Sequence, residues 1–442
     1  MNHKKNPLNN FTSADLSYQQ NSLCFSQVSL EALARTHHTP LFVYSLDQIN
    51  TNVLNYKEAF AGMKSRICYA VKANSSLAIL RFLTLHDIGF DIVSGGELSQ
   101  VLAVGADPAN IVYSGVGKTV SEIDFALHQS IGCFNIESLQ ELYCINQRAK
   151  ALNVYARVSL RINPEVSLKT HKYIATGKRE NKFGISLRDA QSLLEKSASN
   201  DASLTNIKIV GVGAHIGSQI ISVSPYRSSF AALCKLAIQA ISLQLPIEHI
   251  DVGGGLGIRY NNEKIITPKV LAQELFAQLK SVKNAKTLSN ITLILEPGRS
   301  LIGNCGVLLT KVLYTKQKIN KREGFAIVDA GMNDLIRPAL YQGYHHTMPV
   351  LYKNAIKKTW DIVGPVCESG DFLSLQQRLA LAPDDIIALL NVGAYGMSMS
   401  SNYNTRLRAK EVAIYNGATS IIREREVISD LLKHDHWQHI SI

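Results

Sequence analysis

The feature that most constrains this chain is a repeated alternation of two hydrophobic periods. Eight short apolar, β-branched runs recur at 67–71, 90–93, 111–113, 133–136, 158–162, 209–215, 249–252 and 291–295. They are continuous instead of alternating, as strands buried on both faces are. Between them lie segments with helical spacing, such as Leu77, Leu80, Phe82 and Leu83, then Leu98, Val101 and Leu102. Strands alternating with helices imply βαβ units, and eight of them over roughly 250 residues match a (β/α)8 TIM barrel. A doubly wound sheet fits less well, because no GxGxxG opens the first helix. After residue 300 the rhythm changes. Apolar runs at 307–314, 325–328, 360–363, 386–390 and 412–415 follow one another without long helices, which predicts a second, mainly β domain. The expected division is an N-terminal segment, 1–40, packing on that domain, a barrel over 41–302, and the β domain over 303–442.

Composition narrows the partners. The 46 Lys+Arg exceed the 35 Asp+Glu by 11, but no run of five basic residues exists. A thinly spread excess gives modest anion attraction and does not point to nucleic acid. The N-terminus carries two lysines with no apolar run behind them, so no secretory signal is expected. Two stretches without Asp, Glu, Lys or Arg, 209–226 and 386–405, are crowded with Gly, Ser, Asn or Gln. They read as buried strands running into loops and not as membrane spans. The seven cysteines are odd in number and form no CxxC pair. A disulfide framework or zinc site is not expected, and a reducing cytoplasm is.

In a barrel, chemistry gathers at the carboxyl ends of the strands. Lys72 follows the first run, Asp91 lies in the second, Arg161 in the fifth, and His215 closes the sixth. Gly253, Gly254, Gly255 and Gly257 follow the seventh, and Glu296-Pro297-Gly298-Arg299 the eighth. Lys72 alone has two readings: it snorkels to the rim, or it sits in a low-dielectric pocket as a nucleophile for a carbonyl. A Gly-Gly-Gly turn is either a tight turn or a phosphate cradle. Glu296 could keep a pyridinium nitrogen protonated, and His215 could stack on an aromatic ring. Aldehyde-binding lysine, phosphate cradle and acidic partner for a ring nitrogen are together what pyridoxal 5'-phosphate requires.

The motifs YAVKAN (69–74), HIGSQ (215–219), DVGGGLGI (251–258), EPGRSLI (296–302), DAGMNDLIRPALY (329–341), GPVCESGDF (364–372) and NVGAYGMSMSSNYN (391–404) carry a resemblance. The chain resembles the diaminopimelate decarboxylases, within the alanine-racemase-like group of pyridoxal-phosphate enzymes, from about Leu41 to about Gly417. The resemblance implies a barrel with a C-terminal β-sandwich, assembled as a homodimer with shared active sites. It implies Lys72 as the lysine bonded to the cofactor aldehyde. Gly254, Gly255, Ser218, Pro297, Gly298, Arg299 and Tyr395 would hold the phosphate, Glu296 the ring nitrogen, and His215 the ring face. Arg299, Arg337, Tyr341 and Tyr395 would bind substrate, with Glu368 on the distal ammonium. Cys367, which without its motif reads as a buried strand cysteine, would be the acid that reprotonates the α-carbon. The implied reaction is loss of CO2 from meso-2,6-diaminopimelate to give L-lysine. Relatives acting on ornithine, arginine or carboxynorspermidine are the alternative, and Arg337 argues against them, since it offers a partner for a second carboxylate.

Other signals are set aside. The 115–119 stretch resembles the end of a P-loop, but the glycine required five residues before Gly117 is Val112. His434, His436 and His439 read as a solvated terminal segment, and no metal site is expected. His345 and His346 are expected only to line a pocket rim. Residues 165–183, rich in Lys, Thr and Gly, are expected to form a lid.

Overall fold

The computed structural model describes residues 15–164, 182–319 and 323–436. Most of the expected lid, residues 165–181, and His439 lie outside them. Eight parallel strands close into a barrel: β1 (Ser65–Ala70), β2 (Gly89–Ile92), β3 (Ile111–Tyr113), β4 (Cys133–Ile136), β5 (Ala156–Arg161), β6 (Ile207–Gly213), β7 (His249–Asp251) and β8 (Thr292–Leu295). β8 pairs with β1 through Leu293–Leu295 against Ser65–Ile67, which completes the ring. Cys68, Val112, Cys133, Val210 and Ile294, from five different strands, form one buried cluster, a meeting that only the barrel interior allows. Cys68 and Cys133 are thus small core residues, and burial pushes both thiols up.

The helices that follow the strands start on short polar caps. Ser94, Thr119, Ser138 and Ser186 each accept a hydrogen bond from the backbone N–H three residues on, at 3.2, 3.3, 3.2 and 3.0 Å. Thr119 belongs to a full capping box with Glu122. The P-loop-like stretch is therefore a strand-to-helix connection. Its lysine points into the fold: Lys118 Nζ donates to Gly115 O (2.7 Å), Asn135 O (3.0 Å) and Glu141 Oε1 (2.6 Å), with its side chain 1% exposed. Lys118→Ala strands the Glu141 carboxylate and should cost about 3 kcal/mol, read as a lower denaturant midpoint. An unchanged midpoint would refute the structural role.

The chain divides into two compact units, Asn50–Arg259 with Glu263–Leu301, and Met1–Ile49 with Tyr260–Asn262 and Ile302–Ile442. The second is built on a nine-stranded sheet. Its 12-residue strand Gly306–Gln317 pairs with Ile386–Leu390, Leu41–Ser45 and Glu323–Val328. Leu41–Ser45, given to the barrel by the sequence reading, instead pairs antiparallel with Gly306–Leu309 and parallel with Lys410–Ile414. Its side chains Leu41 and Val43 join Val307, Leu309, Leu390, Val412 and Ile414 in one core. Leu16, Leu23, Phe25, Leu30 and Leu33, from the N-terminal strands and helix, pack into the same core. No helix among the described residues is long and apolar enough to cross a membrane.

Candidate active site

The carboxyl ends of the barrel strands gather nine of the expected residues: Lys72, His215, Ser218, Gly254, Gly255, Glu296, Pro297, Gly298 and Arg299. Lys72 lies in a tight 3-10 turn, Val71–Ala73, directly after β1. Its Nζ stands 3.4 Å from Oδ2 of Asp91 on β2. Asp91 is 1% exposed, and burial, aided by the charge of Glu296, pushes its carboxyl up to about 6 against the pull of Lys72. Ala70 N donates to Pro297 O (3.2 Å), which ties the end of β1 to the turn after β8.

Beneath these ends lies a polar cluster that the sequence reading left out. Asn135 on β4 reaches with Nδ2 to Ser114 Oγ (3.1 Å), Asp251 Oδ2 (3.3 Å) and Glu296 Oε1 (3.3 Å). Two buried carboxyls so close cannot both ionise cheaply. Burial and the charge of Glu296 push Asp251 well above the usual range, so Asp251 keeps a proton. Burial works against charge on Glu296 too, but the neighbouring His215 ring first, then the hydrogen bond from Asp251 and the Lys72 ammonium, outweigh it and hold Glu296 down at about 2. His215 is pushed down by burial and is neutral. Its Nδ1 accepts from Gly254 N (3.2 Å) and lies 3.8 Å from Glu296 Oε2.

The glycines do a second job besides exposing N–H groups. A Cβ on Gly254 would fall 2.0 Å from Glu296 O, and one on Gly255, at φ +92°, 2.2 Å from Gly217 O. The turn after β7 is therefore packed backbone to backbone against both the 215–219 loop and the turn after β8. Ile220 N donates to Gly255 O (2.9 Å), Tyr226 OH to Gly254 O (2.9 Å) and Arg299 Nη2 to Ser218 Oγ (3.1 Å). Glu137, also missed, binds Arg161 at the end of β5 and accepts from Gly115 N (3.2 Å) and Gly184 N (2.8 Å). It joins the loops after β3, β4 and β5.

The remaining expected residues lie in the β unit. Arg337 is buried and donates to His345 Nε2 (2.7 Å). His345 is itself fully buried, so it does not line a rim. Tyr341 ends the short helix Arg337–Tyr341 and is half-buried. Tyr395 holds φ +59°, uncommon for an aromatic residue and a pointer to a functional constraint. Cys367 is exposed, not a buried strand residue, and its N–H donates to Asn404 Oδ1 (3.0 Å). Exposed Glu368 accepts from Tyr403 OH. Asp371 sets their loop, accepting from Val366 N (2.7 Å) and Met332 N (2.7 Å). Among the described residues no group of three His, Cys, Asp or Glu could hold a metal ion.

The donor set at the barrel end fits pyridoxal phosphate: a primary amine, a buried carboxylate held ionised, a neutral imidazole and a close-packed glycine turn. Residues 46–303 match the family described as pyridoxal-dependent decarboxylase, pyridoxal binding domain. Diaminopimelate decarboxylase from Aquifex aeolicus is 46% identical over 93% of this chain and 95% of its own. That from Pseudomonas aeruginosa is 43% identical over 94% and 97%. A crystal structure of diaminopimelate decarboxylase from M. jannaschii in co-complex with L-lysine superposes with a TM-score of 0.89 at 36% identity, covering 96% of this chain and 99% of that one.

Proposed function

The chain belongs to the pyridoxal-dependent decarboxylases and, within them, to the diaminopimelate decarboxylases, and on that premise we propose that it converts meso-2,6-diaminopimelate to L-lysine and CO2. The observation that carries the reading is the Lys72 amine at the barrel mouth, 3.4 Å from buried Asp91 and above a Glu296 held ionised. Pyridoxal phosphate supplies an aldehyde for an amine and a cationic ring that withdraws the electrons left by departing CO2. Lys72 would bond to the aldehyde. Glu296, kept charged by His215 and the protonated Asp251, would hold the proton on the ring nitrogen. His215, neutral, would face the ring. Ser218, Gly254, Gly255, Pro297, Gly298, Arg299 and Tyr395 would hold the phosphate.

Arg299, Arg337, Tyr341 and Tyr395 bind substrate, the arginines gripping carboxylates with their planar forks. Holding the scissile carboxylate in one orientation selects the bond that breaks, so these residues act on rate as well as affinity. Glu368 recognises the distal ammonium and Cys367 delivers the proton to the α-carbon. Both are exposed, with Tyr403 and Asn404 fixing them from their own chain, which suits delivery to the partner of a homodimer. The enzyme works in the cytoplasm, where its thiols stay reduced.

The purified protein, loaded with pyridoxal phosphate, is expected to release CO2 from meso-diaminopimelate with equimolar L-lysine, and far less from ornithine. Release from ornithine with none from diaminopimelate would overturn the assignment.

A further inference from the structure

We infer that His345 is a positioning residue for substrate recognition: it fixes the guanidinium of Arg337 through one defined tautomer. The inference rests on the substrate reading above. His345 is fully buried and Arg337 is 6% exposed. His345 Nδ1 lies 2.8 Å from Leu390 O, and its Nε2 lies 2.7 Å from Arg337 Nη1. A carbonyl oxygen only accepts and a guanidinium only donates. The partners therefore settle the protons: Nδ1 carries the hydrogen and Nε2 offers its lone pair. A neutral imidazole spans the backbone of one strand and the arginine, spending one guanidinium N–H. Tyr260 closes the arrangement. Its ring centroid lies 4.8 Å from Arg337 Cζ and 5.4 Å from the His345 ring, which meets it edge-on at 83°. Ser374 Oγ donates to His345 O (3.2 Å), so the backbone of the histidine is pinned as well.

This geometry suits a carboxylate receptor. A carboxylate partner in the place of His345 would neutralise the guanidinium and weaken its hold on an anion. A neutral acceptor orients the fork and leaves its charge for the ligand. Protonation of His345 would set two cations against each other, so the arrangement works only with the neutral ring.

The test uses the holoenzyme with His345→Phe and His345→Gln. Phenylalanine keeps a ring against Tyr260 and removes both hydrogen bonds. Glutamine retains an acceptor and a donor. The expected result for His345→Phe is a KM for diaminopimelate raised roughly 10- to 100-fold, with kcat changed less. Inhibition by L-lysine should weaken by a similar factor. Inhibition by 1,5-diaminopentane, which has no carboxylate, should not change. His345→Gln should recover most of the loss. Should His345→Phe not fold, His345→Leu carries the same expectations. An unchanged KM, or equal weakening of both inhibitors, overturns the inference, the latter by marking general distortion. A wild-type enzyme inactive on diaminopimelate would sink the substrate reading instead.

Discussion

Replacing Lys72 by alanine should lower kcat by at least about 1,000-fold while leaving the fold intact. The two halves of this expectation have separate causes. The amine is the only nucleophile that the barrel places directly after β1, within reach of the buried acids of β2 and β8. Among the described residues, the nearby Arg161 and Arg299 cannot take over bonding to an aldehyde, because a guanidinium is a poor nucleophile and both are committed, to Glu137 and Ser218. Stability should hardly move, because the Lys72 side chain is 38% exposed and Asp91, the carboxylate 3.4 Å from its amine, can respond. Asp91 is already pushed up to about 6 by burial, with Lys72 pulling it down. Without the ammonium it rises further and is buried neutral. The Tm should therefore shift by less than about 3 °C. Borohydride treatment of the loaded wild-type protein should fix the label on a peptide containing Lys72. Labelling elsewhere, or near-normal turnover by the alanine variant, would remove the basis of the mechanism.

The barrel was legible because strands buried on both faces leave an unbroken apolar run with hard edges. Ile111–Tyr113 and Cys133–Ile136 coincide with their runs for that reason. Leu41–Ser45 carries the same signature, and its burial on both faces is real. What the run cannot state is which sheet buries it. Its partners lie more than 250 residues on, beyond any local pattern. Phe372–Leu379 and Ala418–Arg423 escaped for the opposite reason, since polar residues break the one and solvent covers most of the other.

Site residues were legible where they follow a strand and stand in a motif. They were hidden where a polar residue interrupts an apolar run. Asn135, inside its apolar run, and Asp251, at the head of the glycine motif, were given no role of their own, although parity could have placed them. Cys133 belongs to the interior cluster, and Asn135, two residues on, faces the same way. His249 shares a face with Asp251, and a ring there is accommodated only because residue 211 is glycine, whose Cβ would stand 2.1 Å from His249 Nε2. A polar residue on the inward face near the carboxyl end of a barrel strand belongs to the site. His345 offered no such cue, because its role depends on Arg337 and Leu390, which only the folded sheet brings to it.

Arg337→Ala should lower kcat/KM for meso-diaminopimelate by about 100- to 1,000-fold, the cost of removing one partner of a buried charged contact. Diaminopimelate differs from the shorter diamino acids in its second amino-acid head. A receptor for that head needs a cation for its carboxylate, held in place before the ligand arrives. Arg337 meets the requirement, being 6% exposed, bonded to a neutral histidine and stacked on Tyr260. A substrate lacking the carboxylate would leave this buried guanidinium without the anion it receives from diaminopimelate, a penalty that makes the same residue a filter. Arg337→Lys should not restore activity, since a point charge on a flexible stem cannot form the fork or lie flat on the tyrosine. The loss should fall on diaminopimelate and spare any residual turnover of ornithine, so the ratio of the two kcat/KM values should collapse toward unity. If alanine at 337 left that ratio unchanged, the second carboxylate would be read elsewhere and the case for diaminopimelate from this residue would be gone.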